Sequence, residues 1–248
     1  MTLHSGKIGL ASRFRLAAQA VEGPSAPSPA LRYLLREASY PISPITRRMR
    51  RKAAINPARN RRIVIMLPGF IASPITMRYL SRQIEQAGHK TKQWKQGLNT
   101  GPTPERVDAL EQRLLEICER YGTKPVLLGW SLGGMFAREL AHRQPAAVLK
   151  VITMGSPFSG DPHGNNAWRL YQFVAGHRVD DPPVPVRAGQ KPPVETIALW
   201  SGRDGVIAPE CAQGNAHERD RAIEVDCTHM GFSYSPQAIE AVVAELDW

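Results

Sequence analysis

From Arg62 onwards, short runs of consecutive apolar residues alternate with stretches where apolar residues recur every three or four positions. Ile63-Val64-Ile65-Met66-Leu67 has no polar member, the pattern of a strand buried on both faces. Met77, Leu80, Ile84 and Ala87 follow at helical spacing, with Gly88 placed to close that helix. Residues 89–95 predict a more polar strand near a sheet edge. Thr103 and Pro104 open the next helix as N-cap and first helical residue. Its buried stripe is Val107, Leu110, Leu114, Ile117 and Cys118. An apolar run after Pro125 and further strands over 149–154, 194–200 and 222–226 lead to a last helix over 236–246. This alternation predicts an α/β fold, a mostly parallel sheet with helices on both faces.

Two stretches break the pattern. Residues 158–193 hold six prolines, seven with Pro157 just ahead, around one helical-looking piece with Trp168, Tyr171 and Phe173. So long an irregular interval inside a domain is read as a lid or cap insertion. Residues 1–58 read as a partly helical extension: 28–37 form a short helix, Pro41 and Pro44 interrupt the chain, and 47–52 are densely basic. The expected organisation is a basic N-terminal extension over 1–58 and a catalytic domain over 59–248, with the lid at 158–193.

Charge sharpens that division. The chain carries a net +10, yet residues 1–62 hold thirteen Lys or Arg against two Glu, so the remainder is close to neutral. The extension is therefore either a contact for an anionic membrane surface or an acidic partner, or a solvated arm wrapped on its own domain. No nucleic-acid fold signature accompanies it, so no specific nucleic acid is expected. No run reaches transmembrane length, and Lys7, Arg13 and Arg15 interrupt any signal-peptide core. A cytoplasmic chain, membrane-peripheral at most, is expected. Cys211 and Cys227 could form a bridge, although a cytoplasmic chain would normally hold them as thiols, and no C-x-x-C metal spacing occurs.

The chemistry centres on Gly129-Trp130-Ser131-Leu132-Gly133-Gly134, a G-x-S-x-G turn between an apolar run and a helical stretch. Such a turn projects a serine Oγ clear of the sheet and sets it at a helix N-terminus. A serine nucleophile needs a base, and the base needs an acid to hold its tautomer. Asp204 follows the strand ending at Trp200, and His229 follows the strand ending at Asp226, so the order is Ser…Asp…His. Asp226 competes as the acid but lies only three residues from His229. Asp180 and Asp181 fall in the lid and read as solvated, and His89 and His142 read as surface residues. Oxyanion donors are expected from the backbone of Leu132, after the nucleophile, and of Phe70, in the loop after the first core strand. Trp130, Phe70, Ile71, Met230 and Phe232 flank these groups and suggest an apolar acyl pocket.

LPGF at 67–70, GWSLGG at 129–134, MGSPF at 154–158, SGRDGVIAP at 201–209 and THMGF at 228–232 resemble the α/β-hydrolase superfamily. The resemblance is to its bacterial lipase- and esterase-like serine hydrolases, and it covers essentially residues 62–248. It implies Ser131 as nucleophile, His229 as base, Asp204 as its orienting acid, and Phe70 and Leu132 as oxyanion donors. The expected function is hydrolysis of a small-molecule or lipid-like ester through an acyl-serine, with no cofactor. An acyltransferase or thioesterase using the same triad, and a non-catalytic binding protein on this fold, are the alternatives. One departure stands out: Pro68 replaces the histidine that many lipases carry before the oxyanion glycine.

Overall fold

The computed structural model describes residues 9–19, 27–37, 51–184 and 187–248. Lys7, Pro41, Pro44 and residues 47–50 of the basic cluster lie outside them. Six strands, β1 (Ile63–Leu67), β2 (Lys90–Gln93), β3 (Val126–Trp130), β4 (Lys150–Met154), β5 (Glu195–Trp200) and β6 (Arg221–Glu224), form one sheet in the order β2-β1-β3-β4-β5-β6. Every pairing is parallel. Leu67 aligns with Gly129, Trp130 with Met154 and Trp200 with Glu224, so the strands' C-terminal ends share one edge of the sheet.

The apolar runs occupy the middle. β1, β3 and β4 are buried at every position, whereas the polar β2 is half-exposed at one edge and β6 at the other. The described helices are α1 (Leu10–Ala18), α2 (Leu31–Glu37), α3 (Arg78–Gln86), α4 (Pro104–Tyr121), α5 (Leu132–Arg143), α6 (Trp168–Ala175), α7 (Pro209–Gln213) and α8 (Pro236–Asp247). On one face Val64, Met66, Val126 and Leu128 pack with Leu80 and Ile84 of α3 and Ile239 and Val242 of α8. On the other, Ile63, Ile65, Leu67 and Leu127 meet Leu110 and Leu114 of α4 and Phe136 and Leu140 of α5. Each such aliphatic side chain contributes about 1.5–3 kcal/mol by leaving water. Strict alternation along β1 therefore serves two cores at once.

Local signals set the helix ends. The Thr103 side chain accepts the Arg106 N–H at 3.2 Å, and Gly122 ends α4 with φ 59°. His89 is a correction: instead of a surface residue it is 3% exposed. Gly88, at φ 105°, turns the chain back towards β2, and His89 Nδ1 accepts the Arg62 N–H at 3.2 Å. The three cysteines are free thiols. Among the described residues no helix is long and apolar enough to cross a membrane.

The described parts of the extension lie against the rest of the chain. Phe14 of α1 meets Phe173 of α6 at 5.0 Å between ring centroids. Arg13 donates to the Phe173 and Val174 carbonyls at 2.9 and 2.5 Å, satisfying acceptors that the C-terminus of α6 leaves open. Arg51 pairs with Glu240 at 2.9 Å. These two cations serve intramolecular contacts.

Candidate active site

The segment joining β3 to α5 carries Ser131 at φ 53° and ψ −125°, a backbone conformation that L side chains rarely adopt. Its glycine neighbours make that turn possible. A Cβ on Gly129 would strike the Gly133 backbone, and one on Gly133 would strike the Leu67 carbonyl of β1. Backbone cannot move aside, so strand and helix approach this closely only without side chains. The Ser131 N–H donates to the Met154 carbonyl at 2.8 Å, tying the turn to β4. Gly133→Ala should destabilise the chain by about 3 kcal/mol or more, read as a lowered thermal midpoint or loss of soluble protein.

Asp204 and His229, from the loops after β5 and β6, meet. Asp204 Oδ2 lies 2.7 Å from His229 Nδ1, with both side chains buried. The other carboxylate oxygen, Oδ1, accepts the Val206 and Ile207 N–H groups at 2.8 Å each, so the acid is held from both sides. Burial pulls the His229 imidazole towards neutrality. The charge and hydrogen bond of Asp204 and the charge of Glu37 outweigh it and raise its pKa above the ordinary histidine value. The Trp130 indole donates to the His229 carbonyl at 3.1 Å, and the Ser201 hydroxyl to the Cys227 carbonyl at 2.6 Å. Asp226 instead pairs outwards with Arg203 at 2.9 Å.

The loop after β1 passes directly beside the serine: a Cβ on Gly69 would lie 3.1 Å from Ser131 Cβ. Asn99, fully buried, holds this loop. Its side chain donates to the Pro68 carbonyl at 2.8 Å and its own carbonyl accepts the Ile71 N–H at 2.8 Å, with Ile71 at φ 52°. Among the described residues the Phe70 and Leu132 N–H groups have no protein acceptor. Sequence reasoning missed Asn99 and Glu37. Nothing in the local pattern around either residue marks it.

A cavity of about 560 Å³ opens over Ser131, Phe70 and Leu132. Val107, Met135, Phe136, Val206 and Ile207 line it, and Trp168, Tyr171, Val179 and Val184 contribute from residues 158–193. Its charged lining consists of Glu139, Asp180 and Asp181, with no Lys or Arg among the described residues. Of the expected pocket residues, Phe70 lines it, but Trp130, Ile71, Met230 and Phe232 do not. Trp130 and Phe232 are buried with ring centroids 5.7 and 6.4 Å from His229, Met230 packs against the core, and Ile71 is 43% exposed. The strand carrying Trp130 and the turn carrying Phe232 point those rings inwards.

Comparison with known proteins agrees with this architecture. A family model described as alpha/beta hydrolase fold matches residues 54–175. A crystal structure of polyneuridine aldehyde esterase aligns with 76% of this chain and 100% of its own, at 14% identity and TM-score 0.51. A pyrethroid hydrolase aligns over 76% of this chain and 98% of its own, at 15% identity and TM-score 0.53. A monoacylglycerol lipase from Paleococcus ferrophilus aligns over 78% and 96%, at 16% identity and TM-score 0.53. A biotin biosynthesis bifunctional protein, BioHC, from Teredinibacter turnerae is 39% identical over 51 residues, 21% of this chain and 9% of that protein. The chain is an α/β-hydrolase-fold protein, with esterases and lipases among its structural neighbours.

Proposed function

We propose that the chain is a serine carboxylic-ester hydrolase working through an acyl-serine intermediate. The observation that carries this reading is the buried Asp204–His229 hydrogen bond, 2.7 Å long, beside a serine held at φ 53° at the mouth of a mainly apolar cavity. Ser131 Oγ attacks the ester carbonyl carbon while His229 Nε2 takes its proton. The oxygen that becomes negative is met by the N–H groups of Phe70 and Leu132. His229 returns the proton to the departing alcohol, and water activated by the same nitrogen then releases the acid. Asp204 keeps the Nδ1–H tautomer and stabilises the imidazolium without itself taking the proton.

The cavity supports a substrate class. Aromatic and aliphatic walls favour a neutral apolar acyl or alcohol part. Of its three carboxylates, Glu139 is paired with Arg143 and Asp180 with Arg178, so the apolar walls rather than charge set the preference. Residues 158–193 act as the lid, since Trp168 and Tyr171 of α6 roof the serine's cavity.

The test is hydrolysis of p-nitrophenyl esters from acetate to palmitate, with fluorophosphonate labelling mapped by mass spectrometry. Turnover and an adduct on Ser131 are expected. A raised His229 pKa keeps the base protonated to higher pH. The acid limb of kcat/KM should therefore lie above the ordinary histidine value of about 6.5. A folded chain that hydrolyses none of these esters and leaves Ser131 unlabelled would overturn the reading.

A further inference from the structure

We propose that Glu37, from the N-terminal extension, is a positioning residue for the catalytic pair, binding the base loop to the acid loop through its carboxylate. This rests on the esterase reading above. Glu37 Oε1 accepts the His229 N–H at 2.7 Å and the Gly205 N–H at 3.1 Å, and Oε2 accepts the Met230 N–H at 2.9 Å. One side chain thus gathers backbone donors from the residue after the acid, from the base itself and from the residue after the base.

The sheet explains why such a brace is useful. β6 is an edge strand, so the loop that carries His229 has no further strand beside it. Glu37 reaches it from α2, and α2 can dock there because Gly205 has no side chain. A Cβ on Gly205 would lie 2.5 Å from the Tyr33 carbonyl and 2.6 Å from the Leu34 nitrogen. Asn166 fastens the same junction, donating to the Pro29 and Gly205 carbonyls at 2.9 and 2.8 Å. An anion fits three converging N–H groups far better than a neutral acceptor does.

The charge has a second consequence. The charged groups acting on His229 are Asp204, from the loop after β5, and Glu37, from α2; both favour the imidazolium against the effect of burial. Cys227, on the base's own loop, has its thiol pushed well up by burial and stays neutral. Ser131, the candidate nucleophile, carries no charge. Removing the Glu37 charge therefore lowers the pH at which His229 titrates.

The experiment uses the full chain and its Glu37→Gln and Glu37→Ala variants, measuring ester kinetics across pH and the His229 imidazole titration by NMR. In Glu37→Gln the NMR midpoint and the acid limb of kcat/KM should both move to lower pH. Plateau kcat should fall about tenfold, with KM little changed. Glu37→Ala should lose more kcat; if it does not fold, the isosteric Gln variant carries the test. Native kcat and an unmoved His229 midpoint in Glu37→Gln, even with a lowered melting temperature, would overturn the proposal and reduce Glu37 to a fold anchor. The NMR titration needs no substrate, so a chain that hydrolyses no ester would sink the esterase reading while the clamp is still measured.

Discussion

Ser131→Ala should hydrolyse p-nitrophenyl esters about a millionfold more slowly than the native chain and take no fluorophosphonate label. The methyl group occupies the same turn, so the backbone at φ 53° and its hydrogen bond to Met154 persist, and the variant should melt close to the native temperature. Only the Oγ is lost. The oxyanion donors and the cavity remain, and they should leave a residual rate about 10³–10⁴ above water alone. A variant retaining a tenth of native turnover would place the nucleophile elsewhere.

Asp204→Asn is expected to lower kcat about ten-thousandfold, for a reason specific to how this carboxylate is held. Oδ1 accepts two backbone N–H groups from Val206 and Ile207, so an Asn in its place keeps its carbonyl oxygen there. The amide nitrogen then faces His229 Nδ1 and donates to it. The imidazole is forced into the tautomer with its proton on Nε2, where it cannot accept the serine proton. Loss of the Asp204 charge also removes a force that raises the His229 pKa, so the remaining activity should show its acid limb at lower pH. A stopped-flow or steady-state pH profile checks both effects. Equal kcat in the variant would mean that Asp204 does not orient the base. Asp226 is a poor substitute, because its carboxylate already pairs outwards with Arg203.

The esterase reading and the Glu37 brace bear on the extension in the same way. Its overall charge fits either an arm reaching for an anionic partner or one wrapped on its own domain. In the described part Arg13 donates to helix carbonyls, Arg51 pairs with Glu240, and the acidic Glu37 reaches the candidate site.

What the sequence by itself determined was everything with a local physical signature. Unbroken apolar runs at Ile63–Leu67 and Val126–Trp130 bury on both faces, because only central parallel strands remove every side chain from water. Thr103-Pro104 starts a helix because its hydroxyl and its fixed φ suit that end. Gly129 and Gly133 announce the tight elbow because any Cβ there meets backbone. The order Ser131, Asp204, His229 is legible because each follows a segment that reads as a strand. The tertiary structure alone decided which polar groups from distant segments converge. Glu37 lies 192 positions from His229, and Asn99 lies 31 from Pro68. Neither pairing repeats along the chain, so no periodicity records it. The same holds for the cavity: Trp130 and Phe232 flank the candidate site residues in sequence yet turn into the core. Val107, Val184 and Trp168 reach the cavity from three separate elements. Sequence neighbours share a backbone direction, whereas a pocket is lined by whatever side chains the packed layers leave facing the same gap.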